Sequence, residues 1–134
     1  MLYNEQKLVE FPNPWNPEKT LVGFFKFDRY WYNKNTAIQL FAKDKDDEEK
    51  FFEPYCSVSV NVIQVKPQSE SCIFVDTNNA PWLEDFLQSK GFGLPTGRFA
   101  TSGYCCYPEY LLNIKKMKEY QMYSKQAENF NSEK

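Results

Sequence analysis

Few side chains of this chain could carry out chemistry, because the sequence contains no histidine. Histidine is the commonest general base and the commonest metal ligand, so catalytic arrangements built on it are excluded within one chain. The glycine motifs that bind phosphates or dinucleotides are absent as well. The adjacent Cys105 and Cys106 lack zinc or CxxC spacing; we expect one thiol on each face of a strand, and a redox or nucleophilic role stays open. We therefore predict a protein that is not an enzyme, with no cofactor and no metal.

The carboxylate best placed for a site is Asp76, which precedes Thr77, Asn78 and Asn79 where a strand meets a helix. A carboxylate at such a corner commonly accepts hydrogen bonds from backbone N–H groups at the helix start, and Asn79 is the predicted N-cap. The same carboxylate could instead bind a ligand or take part in acid–base chemistry. The sequence leaves both roles open.

Aromatic residues are the second source of candidates, since they make up 18% of the chain. Tyr, Trp and Arg often dominate the binding energy of protein interfaces. The candidates are Arg29, Tyr30, Trp31 and Tyr32 in one predicted strand, and Arg98, Tyr104, Tyr107 and Tyr110 around a glycine-rich segment. The second group could join the Asp76 corner in one polar and aromatic patch, or both could be buried structural corners. For the first group, the alternative is a strand with alternate residues in the core.

Hydrophobic patterns predict the elements that must position these residues. Strands are expected over residues 20–32, 36–42, 55–62, 71–75 and 106–114, with a short first strand within residues 1–11. In the strand predicted over residues 55–62, one face is formed by Cys56, Val58, Val60 and Val62. This pattern is typical of a half-buried antiparallel strand. In the strand predicted over residues 20–32, the alternation of apolar side chains slips between Phe24 and Phe25. Either a bulge or a strand covered on both faces would explain this slip.

Turn residues predict the connections and one helix. The three prolines of residues 12–17 predict a loop, residues 33–35 a turn, the acidic residues 44–50 a solvated connection, and the glycine-rich residues 91–97 a turn. A helix is expected over residues 80–90, where Leu83, Phe86 and Leu87 form an apolar stripe, Trp82 anchors the helix to the sheet and Gly91 fits the C′ position.

The predicted fold is α+β: a single antiparallel sheet of about five strands with one main helix packed on it, and room for a short C-terminal helix. We expect one domain over residues 1–134, with a core of residues 20–114 and a polar tail of residues 115–134. The net charge of −2 and the pI near 5.2 exclude a strong basic or acidic field over the whole protein. With no long apolar run and no signal peptide, the protein is expected in the bacterial cytoplasm, away from membranes and with reduced cysteines.

Residues 75–108, VDTNNAPWLEDFLQSKGFGLPTGRFATSGYCCYP, carry a specific resemblance. They resemble the domain-of-unknown-function family 4313, whose members share a VDTNN–PW–helix–GLG–TG–SGYC–YP arrangement. The resemblance covers about residues 20–114, with Phe92 where the family tends to have Leu. It implies no activity, but it implies a context: small accessory proteins of plasmids, conjugative elements and phages in Gram-positive bacteria.

Three functions fit these observations. The first is a non-catalytic protein-binding accessory protein, such as an inhibitor of a host defence system of the anti-CRISPR or anti-restriction type. The second is a single-stranded nucleic-acid-binding module, in which aromatic side chains stack on bases and lysines contact phosphates. The third is a small-molecule or enzymatic role at the Asp76 corner. We favour the first, with a host protein as partner; the oligomeric state is left open.

Overall fold

The computed structural model describes residues 7–122, which form eight strands and short helices. The elements are β1 (Val9–Asn13), β2 (Asn16–Arg29), β3 (Thr36–Asp44), β4 (Glu53–Ser57), β5 (Ser59–Val60), β6 (Cys72–Val75), α1 (Leu83–Ser89), β7 (Gly93–Ser102), β8 (Cys105–Leu112), α2 (Ile114–Met117) and a 3-10 turn (Lys118–Tyr120). Sheet 1 has the order β1-β2-β3-β4 and sheet 2 the order β5-β6-β8-β7, all pairs being antiparallel. Antiparallel strands and a helix are thus confirmed, but the domain is mostly β with few helices, and the predicted single five-stranded sheet with one main helix is wrong.

The chain crosses from sheet 1 to sheet 2 at Val58, between β4 and β5. The Val58 N–H donates to the Ile38 carbonyl in sheet 1 (2.9 Å), and the Val58 carbonyl accepts the N–H of Asp76 after β6 (3.1 Å). Val58 lies in the main core, whereas Val60 and Val62 pack in a second core. The strand predicted here is therefore divided in two, because its alternate residues face two different cores.

Strand β2 is covered on both faces, which explains its two phases of hydrophobic residues. Phe25 is fully buried in the main core between the sheets. Phe24, on the other face, is fully buried as well, with its ring centroid 5.6 Å from that of Phe41 and 4.8 Å from that of Phe52. The register of β2 with β3 runs without a shift. Of the two predicted explanations, cover on both faces is confirmed.

Two segments predicted as a loop and a turn are strands at sheet edges. Pro12 lies in β1, opposite Thr20, and Pro95 lies in β7, opposite Tyr110. Strands β1 and β7 are outermost in their sheets, where the missing N–H of proline can face away from the ladder. The predictions were wrong because proline is compatible with an edge strand, as in β1 and β7.

Helix α1 begins later than expected and ends as expected. Its N-cap is Trp82, with no side-chain cap hydrogen bond, so the prediction of Asn79 as N-cap is wrong. At the other end Gly91 has a φ of 72°, and the Phe92 N–H donates to the Leu87 carbonyl (2.8 Å), which confirms Gly91 at the C′ position. No helix within residues 7–122 is long and apolar enough to cross a membrane.

The chain after β8 belongs to the core up to Met122. Helix α2 confirms the short C-terminal helix, and its Met117 is fully buried. The Met122 N–H donates to the Phe25 carbonyl (2.8 Å), so this segment covers part of β2 that β1 leaves unpaired. Residues 115–122 of the predicted polar tail thus include most of α2, the 3-10 turn and a contact with β2. Residues 1–6 of the predicted first strand and residues 123–134 of the predicted tail lie outside the described residues.

Candidate functional site

The tip of the β2–β3 hairpin presents two large aromatic side chains to solvent. Trp31 is 87% exposed and Tyr32 is 73% exposed. The loop of residues 31–34 is closed by hydrogen bonds from the Tyr30 N–H to the Asn35 carbonyl and from the Lys34 N–H to the Tyr30 carbonyl, both 2.9 Å. Because β2 ends at Arg29, the loop projects beyond the sheet and its rings have no core to enter.

Polar contacts hold this loop against sheet 2. The Tyr30 hydroxyl hydrogen-bonds to the Ser59 hydroxyl (2.8 Å), which also accepts the N–H of Ile38 (2.9 Å). Three amide side chains beside the loop contact one another: Asn33, Asn35 and Asn61. The first two donate to the Oδ1 of the third, at 3.1 and 3.3 Å. These hydrogen bonds fasten the aromatic loop and its flanking residues to sheet 2 and to Asn61.

Lys34 closes the loop in a conformation that lysine rarely adopts. Its φ of 61° lies in the left-handed region, and it is the one non-glycine residue of residues 7–122 with a positive φ. Such a conformation costs a residue with a Cβ about 1 kcal/mol. The Lys34 Nζ lies 6.0 Å from the centroid of the Trp31 ring. A turn is present here as predicted, but it lies at residues 31–33 instead of 33–35. The prediction that Tyr30, Trp31 and Tyr32 continue the strand is wrong, because β2 ends at Arg29. The strained backbone of Lys34 brings an ammonium group next to the exposed indole.

A polar cleft of about 490 Å³ lies between this hairpin and residues 66–70. We call it the hairpin cleft; its charged lining residues are Arg29, Lys34, Lys66 and Glu70. Arg29 Nη2 pairs with Glu70 Oε1 at 3.1 Å, and Arg29 Nη1 donates to the Lys34 carbonyl at 3.1 Å. The Glu70 side chain is 81% exposed, so this ion pair contributes little to stability. Three cations and one carboxylate give the cleft a positive charge in a protein that is negative overall.

At the Asp76 corner the carboxylate organises the turn before α1. Its Oδ2 accepts the side-chain amide of Asn79 (3.0 Å), its Oδ1 accepts the Asn79 N–H (3.4 Å), and its main-chain carbonyl accepts the Ala80 N–H (3.0 Å). Asp76 is only 8% exposed, whereas Asn78 and Asn79 are exposed and Thr77 is half-buried. These contacts match the structural role that the sequence allowed for the corner.

The other predicted tyrosines do not share one surface. Tyr104 is fully exposed at the β7–β8 turn, Tyr107 is buried in the second core and Tyr110 is fully buried in the main core. The Tyr110 hydroxyl donates to Glu84 (2.7 Å) and accepts from Gln88 (2.8 Å), which fastens α1 to sheet 2. Burial, together with the hydrogen bond to Glu84, raises the pKa of Tyr110 to about 12.

Asp76 and Tyr107 are both buried. A hydrogen bond with Cys105, burial and the nearby charges of Cys105 and Asp76 raise the pKa of Tyr107. Tyr107 is 9% exposed and Asp76 is 8% exposed. These two residues therefore do not contribute to an exposed patch.

Trp82 lies in an aromatic cluster between α1 and sheet 1. Its ring stacks on Phe11 with the centroids 5.8 Å apart and the planes at 11°, and it meets Phe86 edge-on at 5.8 Å. The predicted anchoring of the helix to the sheet by Trp82 is confirmed. Beside this cluster lies a small apolar cleft of about 170 Å³ that Pro12 and Pro14 help to line.

The sequence did not point to Glu109, which is fully buried on the face of sheet 2 that residues 61–71 cover. Its carboxylate accepts the Thr96 hydroxyl (2.7 Å), the Gln68 side-chain amide (2.5 Å), the Gln68 N–H (3.0 Å) and Arg98 Nη1 (3.5 Å). A shift in register of β7 at residues 96–98 brings Thr96 and Arg98 to this point. The one available signal was a charged residue inside the apolar strand YPEYLL. Arg98 is thus a partner of a buried carboxylate.

The four cysteines are free thiols that differ in accessibility. Burial, helped by the charge of Asp76, raises the pKa of Cys56 to about 12, and Cys72 is buried. Cys106 is exposed on β8, while its neighbour Cys105 is half-buried, as the prediction of one thiol on each face implies. Because the thiolate is the reactive form, we expect a thiol reagent at pH 8 to label Cys106 first and Cys56 only after unfolding. Mass spectrometry of timed samples would check this order, and early labelling of Cys56 would contradict it.

Hydrogen bonds between side chains and backbone stabilise the turn formed by the acidic residues 44–50. Asp44 Oδ1 accepts the Asp46 N–H (2.9 Å) and Asp47 Oδ1 accepts the Glu49 N–H (3.1 Å). These bonds explain the polar connection predicted here. Within residues 7–122 no group of three or more Cys, Asp or Glu side chains is arranged to hold a metal ion.

The fold and surface described above define a mainly β domain of two antiparallel sheets with an ordered aromatic hairpin. The chain belongs to the family described as Domain of unknown function (DUF4313), whose family model matches residues 24–132. The match extends through α2 and the 3-10 turn, beyond the segment on which the resemblance rested. No curated protein and no solved structure matches the chain.

Proposed function

We propose that this domain is a non-catalytic protein-binding accessory protein of a mobile genetic element, acting as an inhibitor of a host defence system. The observation that carries the proposal is the exposure of Trp31 and Tyr32, at 87% and 73%, on a loop that hydrogen bonds hold in place. Trp, Tyr and Arg dominate binding energy at protein interfaces, and an ordered loop loses little conformational entropy on binding. The mobile-element context rests on the family resemblance, and the choice of a defence component as target is part of the proposal.

The carboxylates of this domain also support a binding role. Asp76 and Glu109 are buried and hydrogen-bonded to their own neighbours. A general acid or base must reach a substrate, and these two groups are turned inwards. The aromatic loop, by contrast, has large side chains that no other part of residues 7–122 covers.

Replacement of Trp31 by alanine is expected to weaken partner capture about 30-fold, which corresponds to about 2 kcal/mol for a central aromatic anchor. The test uses the tagged protein in a bacterial host that carries its own defence systems, with captured protein and nucleic acid both quantified. A single stoichiometric protein partner that the wild type retains and Trp31→Ala loses is the expected result. The thermal stability of the variant should be unchanged, because the side chain is exposed.

Trp15→Ala is the matched control, since Trp15 is 76% exposed at the tip of the β1–β2 hairpin. It removes an equally large exposed indole from a different turn, so it should leave partner capture as in the wild type. Equal loss in both variants would point to general stickiness of exposed tryptophans. Equal retention in both would exclude the β2–β3 hairpin as the binding surface.

Single-stranded nucleic acid is the second candidate ligand, because Lys34 lies beside Trp31 and two further cations line the hairpin cleft. Three phosphate contacts on a single strand predict a slope of about −2 for log K against log salt concentration. Nucleic acid in the captured material that is released by moderate salt, without a stoichiometric protein, would favour this candidate.

A further inference from the structure

The cations of the hairpin cleft lie within reach of the exposed aromatic loop. Within residues 7–122, Lys34 and Lys66 form no ion pair with a carboxylate, and Arg29 pairs only with the exposed Glu70. Lys34 helps to line the cleft, and its ammonium group lies 6.0 Å from the centroid of the Trp31 ring. A partner that covers Trp31 would therefore also cover part of this positive cleft.

From this arrangement we infer that the partner presents an acidic segment, with Asp or Glu side chains entering the hairpin cleft while an apolar side chain packs on Trp31. The inference rests on the proposed function and names the chemistry of the partner at the same site. Carboxylates form short charge-assisted hydrogen bonds with lysine and with the forked donor of Arg29. An incoming carboxylate can replace Glu70 on Arg29, because the existing pair is exposed to water.

The backbone at Lys34 supports a role for its charge. The left-handed φ of 61° is a conformation in which glycine or asparagine would be unstrained. Strained backbone of this kind clusters at binding sites, where the side chain it positions is used. Lysine at this point places a cation at the mouth of the cleft, which neither glycine nor asparagine would do.

The size and charge of the cleft favour a protein segment over a nucleic acid. A volume of about 490 Å³ falls in the range of ligand sites and has room for a few side chains. Nucleic-acid grooves follow the backbone of the strand over several nucleotides, whereas this cleft has three cations and one carboxylate in a protein of net charge −2. A short acidic segment matches this compact charge.

The test selects a displayed library of random twelve-residue peptides on the full-length protein and removes those that also bind Trp31→Ala. The remaining peptides are expected to contain Asp and Glu at least twice as often as the starting library. Their affinity should fall at least tenfold on the double variant Lys34→Glu with Lys66→Glu. The double variant Lys19→Glu with Lys50→Glu changes the same charge at exposed lysines away from the cleft and should bind them as the wild type does.

The inference would be overturned if no selected peptide depends on Trp31 or if the peptides show no preference for acidic residues. It would also be overturned if the two double variants lose peptide affinity equally. Displacement of the peptides by an equimolar twenty-nucleotide oligothymidylate in 150 mM salt would assign the cleft to nucleic acid instead. If the captured cellular partner depends on Trp31 but the peptides show no acidic preference, only this inference fails. If capture of that partner is independent of Trp31, the proposed function fails at this surface.

Discussion

Glu109→Gln is expected to lower the free energy of unfolding by about 3 kcal/mol, because it replaces a buried carboxylate that accepts four hydrogen bonds with a group that cannot accept them all. All four groups around the Glu109 carboxylate donate hydrogens, from Gln68 twice, from Thr96 and from Arg98. A carboxamide offers one oxygen and turns an NH₂ group towards donors, so at least one donor loses its acceptor. Water around the half-exposed Arg98 offsets part of the loss. Denaturant unfolding at pH 7 measures the difference.

Glu70→Gln is the matched control, because Glu70 also pairs with an arginine, at 3.1 Å, but its side chain is 81% exposed. An exposed ion pair contributes at most about 1 kcal/mol, so this variant should unfold almost as the wild type does. Equal costs for the two substitutions would contradict a special role for the buried carboxylate.

The difference in the free energy of unfolding between wild type and Glu109→Gln should become smaller as the pH falls. Burial alone would raise the pKa of Glu109, but hydrogen bonds from Gln68 and Thr96 and the charge of Arg98 outweigh burial and hold that pKa below its usual value. A carboxylate with a lowered folded-state pKa stabilises the protein fully above its unfolded pKa, about 4.3, and loses this contribution as the pH falls through the folded-state pKa. The difference between the two proteins should therefore be constant near neutral pH and shrink below about pH 4.3. A difference that grows on acidification would contradict the lowered pKa.

Gly23→Ala is expected to cost about 3 kcal/mol, near the upper end of overpacking effects. A Cβ at this position would lie 2.2 Å from the carbonyl oxygen of Phe41 and 3.3 Å from the Leu40 side chain. Gly23 pairs with Val9 on one side and with Ala42 on the other, so β2 cannot move away without disturbing two ladders. Denaturant unfolding measures the cost, and a loss of register would also show in the amide protons of β2.

Gly97→Ala separates steric overlap from backbone conformation. Gly97 has a φ of 92°, but no heavy atom lies within 4 Å of an added Cβ. The substitution should cost about 1 kcal/mol, the usual penalty for a side chain in the left-handed region. A cost for Gly23→Ala no larger than this would show that β2 and β3 adjust easily and would contradict the rigid double pairing.

Predictions from local sequence patterns were correct where the residues of a single helix or strand determine its structure. The stripe of Leu83, Phe86 and Leu87 predicted α1, and Gly91 predicted its end. The slip in phase between Phe24 and Phe25 predicted either a bulge or a strand covered on both faces, and β2 is covered on both faces. In these cases the spacing of apolar side chains or the φ of one residue is enough to specify the structure.

The candidate site was predictable only in its composition. Arg29, Tyr30, Trp31 and Tyr32 stood out by residue type, but the division between a half-buried Tyr30 and two exposed rings depends on where β2 ends. The hairpin cleft is lined in part by Lys66, which is more than thirty residues from the hairpin in sequence. Lys66 lies beside the hairpin only because the two sheets pack together. No local sequence pattern indicates that Lys66 lies close to the hairpin.

The sequence by itself predicted antiparallel strands and a helix, and it showed that the chain has no histidine and is rich in aromatic residues. It also pointed to the family to which residues 24–132 belong. Only the tertiary structure decided that the strands form two sheets, that Glu109 is buried and that Trp31 and Tyr32 are exposed. The physical reason is that strand pairing and burial arise between segments far apart in the chain, so a residue's own neighbours in sequence do not reveal which face of its strand will be covered.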